Sequence, residues 1–302
     1  MAIFMSSHQY PQIEEFLQSL QFEKKYSQHT LTAYRIDLAQ FAAYLKTEYD
    51  SPSIKDIKTV FIRSWLADIK SRELSNTSIN RKISALKSFF RYLLKLGSIE
   101  TSPVAGILSP KISKKLPFFI DEKDVKKLAE DVVFPDTHLG KTEKLILTLL
   151  YTTGMRLSEL INLKEKNIDY SYSTINVLGK GNKERLIPTS ASLLQSIKEY
   201  ISNKPVSKEN IDNVFTNEKG KPFNPKTVYN SVRKYLTEVT LIEKKSPHIL
   251  RHTFATHLMN NGAEMNAVKE LLGHSSLAST QVYTHLTIEK LKEVYKQAHP
   301  KA

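Results

Sequence analysis

Nine histidines are spread over 302 residues, yet His248, His252, His257, His274 and His285 all fall in one C-terminal stretch. His248 and Arg251 are three apart and so share a face of any helix they occupy. Ser246 and Pro247 just before them suit an N-cap and a first-turn position. A helix N-terminus, an imidazole and a guanidinium then converge on one spot, a combination suited to an anion such as phosphate. An ordinary surface or core His-Arg pair has the same spacing, so the pair alone decides nothing. His248 and His252 also have the i, i+4 spacing of a zinc-binding helix. Ile249 stands where that motif requires its glutamate, and the chain has no cysteine to add a ligand, so no metal site is expected. His252 reads as a packing or orienting residue.

Two further cations stand at places where a chain presents side chains. In Tyr-Thr-Thr-Gly-Met-Arg-Leu-Ser-Glu-Leu, residues 151 to 160, Arg156 follows a helix-ending glycine and Glu159 lies three residues on as a buttress. The plain alternative is an exposed ion pair of little worth. Lys180 sits in Gly179-Lys180-Gly181-Asn182-Lys183 between two β-prone runs, Thr174 to Leu178 and Glu184 to Ile187, which together signal a hairpin. A lysine at a hairpin tip can equally be turn chemistry.

The elements that must hold these groups are mostly helical. Apolar residues at 3–4 spacing predict helices over Tyr10 to Tyr26, Thr30 to Tyr49, Thr59 to Lys70 and Asn76 to Leu96, a four-helix N-terminal bundle. The fourth carries Arg81, Lys82, Lys87 and Arg91, which form either a solvated face or a DNA-facing one. Ser98 to Pro117 is proline-broken and basic and reads as an interdomain connection. We set the N-terminal domain at 8–108, the linker at 109–120 and the C-terminal domain at 121–302. In the latter, helices are predicted over Glu122 to Asp131, with Asp121 as N-cap, and over Thr142 to Thr153, Ala191 to Ile201, Pro225 to Thr237, Pro247 to Asn261, Met265 to Leu272, Leu277 to Tyr283 and Ile288 to Gln297. The fold class is therefore mainly α in two domains, the second α+β with a small antiparallel sheet.

Composition narrows the partner. Lys and Arg number 44 against 31 Asp and Glu, a net charge of +13, which favours a polyanion. Only 9 residues are glycine, which argues against a Gly-rich phosphate loop. The absence of cysteine removes disulfide, thiolate-zinc and cysteine-nucleophile chemistry. No stretch reads as a signal peptide or membrane span, so a cytoplasmic protein without a membrane partner is expected.

Taken as a set, Gly-Met-Arg-Leu-Ser-Glu-Leu, Gly-Lys-Gly-Asn-Lys-Glu, His-Ile-Leu-Arg-His, Leu-Gly-His-Ser-Ser and Gln-Val-Tyr-Thr-His resemble the tyrosine site-specific recombinases. Within that family the chain is most similar to the bacterial Xer recombinases. The resemblance covers nearly the whole chain, and its specificity lies in residues 151 to 285. It implies that Tyr283 is the nucleophile, with Arg156, Lys180, His248, Arg251 and His274 around the scissile phosphate.

Chemistry agrees with those roles. Two guanidinium forks and two imidazoles can stabilise a pentacoordinate phosphate without a metal, and a phenolate leaves well enough for the phosphotyrosine to react again. Lys180 becomes the general acid for the departing 5′ oxygen. Neither ATP nor another cofactor is required.

The resemblance further implies double-stranded DNA with paired half-sites as partner. It also implies a homo- or hetero-tetramer with a related recombinase, possible cell-division or accessory proteins, and exchange of the C-terminal helix between protomers. DNA contacts are expected from Arg81, Lys82, Lys87 and Arg91, and from Lys226 and Arg233 on the Pro225 to Thr237 helix. The two domains are expected to embrace the duplex. The role expected is resolution of chromosome or plasmid dimers. A mobile-element integrase, a type IB-like topoisomerase and a non-catalytic DNA-binding protein stay open as alternatives.

Overall fold

The computed structural model describes residues 10–112, 118–179, 184–205, 212–273 and 285–300, with side chains in the last segment from 291. The chain divides into two compact units, Met1–Lys115 and Leu116–Ala302.

In the first unit, α1 (Gln12–Phe22), α2 (Gln28–Tyr49), α3 (Thr59–Ser71) and α4 (Asn76–Lys95) bury their apolar stripes on one another. Phe16, Leu38, Leu45, Ile62, Trp65, Ile83 and Phe90 lie at the centre. Helix starts follow local chemistry: the Ser27 and Ser75 hydroxyls accept from the Thr30 and Ser78 amides. The core continues past α4, because Ile99, Val104 and Ile107 are buried with it and the Asn76 and Asn80 amides donate to the Lys111 and Pro110 carbonyls. The stretch from Ser98 to Lys111 is thus part of this unit rather than free connection. At the other end Ile120 is buried in the second core, its N–H donating to Thr253 Oγ1. The linker expected over 109–120 therefore shrinks from both sides, and 113–117 lie outside the described residues.

One cation of α4 does not face outward. Lys82 is buried, with Nζ 2.8 Å from Asp37 Oδ1, a further bond to Gln40, and a position over the Trp65 ring. Lys82 is therefore corrected from a DNA-facing residue to an interior ion pair. The helical stripe that buries Ile79, Ile83 and Leu86 also buries position 82, and Asp37 supplies the counter-charge that makes this tolerable.

The second unit opens with α5 (Glu122–Glu130), α6 (His138–Thr153) and the short α7 (Leu157–Ile161). A three-stranded antiparallel sheet follows, in the order β1 (Ile168–Asp169), β2 (Thr174–Leu178), β3 (Glu184–Pro188), with Ile175 opposite Ile187 and Val177 opposite Arg185. Then come α8 (Ala191–Asn203), α9 (Pro225–Val239), α10 (Pro247–Asn260), α11 (Met265–Leu272) and α12 (His285–Ala298). Asp121 stands at the N-cap of α5 but its side chain makes no capping bond. α6 starts one turn earlier than its apolar pattern indicates, because Thr137 caps it through the Gly140 amide. The helix expected over Leu277 to Tyr283 lies outside the described residues.

The last helix docks on its own chain. Leu291, Tyr295 and Ala298 are buried with Phe254, Leu258, Leu271 and Leu272. His299 stacks on Tyr295 and lies against Tyr151 and Phe254. The helix whose exchange the resemblance implies thus has its described apolar residues packed within this chain.

Candidate active site

Arg156 is the N-cap of α7, set in extended conformation just after the left-handed Gly154 that ends α6. A reciprocal capping arrangement fixes it. The Arg156 amide donates to Glu159 Oε2 at 2.7 Å, and its Nη1 donates to Glu159 Oε1 at 2.8 Å. The carboxylate is shared. Arg185 of β3 grips the same two oxygens with Nη1 and Nη2 at 2.7 and 2.8 Å, a bidentate fork at a buried site. Burial works to raise the Glu159 pKa, but the bonds from Arg185 and Arg156 outweigh it and hold the carboxyl below its usual range. Glu159 is therefore an anion that orients two cations, not an exposed ion pair.

Arg251 reaches the same place from α10. It is buried, and among the described residues no carboxylate pairs with it. Instead Nη1 donates to the Gly154 carbonyl and Nη2 to the Leu272 carbonyl, each at 2.5 Å. Both acceptors lie at helix C-terminal ends, where unpaired carbonyls carry partial negative charge. Burial, then the neighbouring Arg156 and Arg185, pull the Arg251 pKa down to about 9, with Glu159 opposing. The group remains a cation at neutral pH, in a setting where an added anion is favoured.

The end of α11 organises the cluster. Arg185 Nε donates to the Leu271 carbonyl at 2.9 Å, Arg251 to Leu272, and Arg156 Nη2 to Gly273 at 3.2 Å. Three guanidiniums thus end on three successive carbonyls. Two glycines make the approach possible. Gly154 has φ 58° and a Cβ there would lie 2.4 Å from Phe254; Gly273 has φ 64° and a Cβ would lie 2.8 Å from Arg185.

His248 lies exposed in the first turn of α10, one turn before Arg251, with Ser246 at the N-cap and Pro247 following it. The structure thus brings together Arg156, Arg251 and the helix bearing His248. Lys180, His274 and Tyr283 lie outside the described residues; Gly273 is the last described residue before His274. His252 is half-buried. His257 is interior, its Nδ1 3.0 Å from the Tyr151 hydroxyl, and burial pushes its pKa down. Its place in the histidine cluster is thus a packing role.

Arg185 is not singled out by the sequence analysis. The signal was strand alternation: position 185 shares its face with Ile187, which points inward, so a buried cation needing a partner was implied there. Of the other residues expected to contact DNA, Arg91, Lys226 and Arg233 are exposed and Lys87 is half-buried. Arg81 is exposed but engaged, with Nη1 2.8 Å from Asp37 Oδ2. Among the described residues no group of three His, Asp or Glu side chains is placed to hold a metal ion, and no helix is long and apolar enough to cross a membrane.

Residues 119–290, which contain the arginine cluster, match the phage integrase family, and residues 13–97 match the phage integrase N-terminal SAM-like domain. The chain belongs to the phage integrase family. It is 38% identical over 292 residues to a protein of Pelobacter propionicus named tyrosine recombinase XerC, covering 96% of each chain. A protein of the same name from Staphylococcus aureus is 38% identical over 290 residues, again covering 96% of each. Among solved structures, the XerH site-specific recombinase bound to a palindromic difH substrate, in a post-cleavage complex, aligns with a TM-score of 0.71. The two are 25% identical, over 93% of this chain and 82% of that one.

Proposed function

We propose that this protein is a site-specific DNA recombinase that cuts and rejoins strands through a 3′-phosphotyrosine on Tyr283. The observation that carries the reading is the arginine cluster at the end of α11. Three guanidiniums and one carboxylate give 3 − 1 = +2 in a largely water-excluded setting. A phosphodiester brings one negative charge, and its pentacoordinate transition state gains a second on the non-bridging oxygens. The cluster therefore matches the transition state better than the ground state, which is the condition for catalysis. The cations are fixed before substrate arrives, so little reorganisation opposes the reaction.

In this reading Arg156 and Arg251 hold the non-bridging oxygens, and His248 and His274 donate to the same phosphate. Tyr283 gives up its phenolic proton to solvent as its oxygen bonds to phosphorus, and the P–O5′ bond breaks with Lys180 protonating the leaving 5′ oxygen. Attack by a 5′-hydroxyl from another duplex then reverses the step and releases the tyrosine, conserving bond energy. Lys87, Arg91, Lys226 and Arg233 supply backbone contacts with duplex DNA. Strand exchange needs two duplexes and hence paired half-sites, which we assign to a closed tetramer, formed by this chain alone or with a related recombinase. Dimer resolution is the setting inferred from the resemblance to Xer recombinases.

The test is covalent capture on a nicked suicide duplex carrying the site mapped from the host genome. The parent protein is expected to form a denaturant-resistant adduct in excess EDTA, and Tyr283→Phe to bind the duplex and form none. Normal adduct from the Phe variant would assign attack to another residue. Binding without adduct by the parent would leave a phosphate clamp and no recombinase.

A further inference from the structure

Beyond the phosphate ligands, the buried ion pair beside them has a function of its own. Arg185 uses all three faces of its guanidinium internally: Nη1 and Nη2 on Glu159, Nε on the Leu271 carbonyl. Each of its three nitrogens is bonded internally and the side chain is buried, so no direct phosphate contact is assigned to it. Yet it connects the two halves of the site. Glu159 is the residue that fixes both the backbone and the guanidinium of Arg156. Leu271 belongs to the α11 end whose next two carbonyls receive Arg251 and Arg156. The Gly273 backbone packs directly on the Arg185 side chain, which a Cβ would strike.

Resting on the recombinase reading above, we propose that Arg185 is a positioning residue that sets the spacing between Arg156 and Arg251 by clamping Glu159 to the C-terminal end of α11. Two alternatives for a buried pair are weaker here. A pair that only adds stability does not need the bidentate geometry, since apolar residues of similar volume would serve as well. A pair that only neutralises charge would need one contact, whereas Arg185 makes three, with partners on α7 and α11. The planar fork matters because lysine can meet one carboxylate oxygen or the Leu271 carbonyl, and cannot hold both in fixed geometry.

The experiment measures half-site affinity and the single-turnover cleavage rate on the suicide duplex for the parent, Arg185→Lys, Arg185→Met, Arg156→Ala and the double variant Arg156→Ala/Arg185→Met. Arg185→Met is expected to bind DNA within about twofold of the parent and to cleave about 100-fold more slowly, with Arg185→Lys intermediate. If Arg185 acts through Arg156, adding Arg185→Met to Arg156→Ala slows cleavage by less than about threefold, so the cycle is strongly non-additive. A merely structural role gives losses that multiply, or weakens DNA binding together with cleavage, and either result overturns the proposal. Should Arg185→Met fail to fold, Arg185→Lys retains the buried charge and its cycle with Arg156→Ala decides. A lysine variant that also fails to fold would return Arg185 to structure alone. A parent that forms no adduct overturns the recombinase reading and this one together, while a parent that cleaves beside an equally active Arg185→Met overturns this one alone.

Discussion

Arg156 and Arg251 come from helices nearly a hundred residues apart, yet their guanidiniums end on adjacent carbonyl oxygens, those of Gly273 and Leu272. The same short turn therefore measures the separation of both cations. A small displacement of this turn would shift both guanidiniums at once, which makes the glycines that hold the cluster sensitive positions.

Gly154→Ala is expected to destabilise the protein by about 2–4 kcal/mol. A left-handed alanine contributes roughly 1–2 kcal/mol and forced repacking of Phe254 the remainder. Urea denaturation of the full chain measures this. Because the Gly154 carbonyl holds Arg251, the surviving folded fraction should also cleave more slowly than the parent. A folded variant with parental cleavage would show that the α6 end does not position Arg251.

Two cations about two and a half turns apart on α4 should behave oppositely. Lys82→Met leaves Asp37 buried with Arg81 alone, at a cost of about 3 kcal/mol, with the salt dependence of DNA binding unchanged in the folded protein. Arg91→Ala should leave stability within about 0.5 kcal/mol and reduce the slope of log K against log salt by about 1. Stability curves together with gel shifts at several salt concentrations separate the two. A lowered salt slope in Lys82→Met would put its ammonium back on DNA.

Two buried groups give the stability a definite acid side. His257 has its pKa held below 6.5 by burial, so the unfolded chain binds its proton more readily and stability falls as pH drops from 6.5 through the lower folded value. Glu159, held below 4.5, adds a second loss further down, as pH falls through its own depressed folded pKa. The melting temperature should thus be flat around neutrality and fall in two stages on acidification. His257→Gln should lower the plateau and remove the first stage. An unchanged first stage in that variant would assign it to another histidine.

Legibility in the sequence followed from how local each signal was. The four N-terminal helices and the β2–β3 hairpin strands are legible because apolar period and turn residues lie in adjacent positions. α7 and β1 are not, being five and two residues long, too short for any period to register. Arg156, Arg251 and Glu159 were picked out by spacing and motif. Arg185 was not, because its partner lies 26 residues away and only the fold brings them together. Lys82 was misplaced for the same reason: its counter-ion is 45 residues off, and a cation beside other cations on one helix looks like surface until that partner is known.

The C-terminal helix supplies the last prediction. Its apolar stripe is satisfied within the chain, where Leu291 and Tyr295 fill a surface made by Phe254, Leu258, Leu271 and Leu272. That surface belongs to α10 and α11, the helices that carry Arg251 and the Leu272 carbonyl it meets, so loss of the docked helix is expected to disturb that contact. In a closed ring the same helix can dock on a neighbour without new interface chemistry, since exchange of identical elements leaves every contact intact. Leu291→Ala is accordingly expected to cost about 2–4 kcal/mol of stability in the free chain. Truncation after Thr287 should cost more and expose apolar surface that binds a hydrophobic dye. Adding a peptide of residues 288–300 in trans should restore both stability and cleavage to the truncated protein, with a second half-site lowering the peptide concentration required. Restoration that ignores the half-site would keep α12 as an intramolecular element, and restoration that depends on it would make the helix the link between protomers.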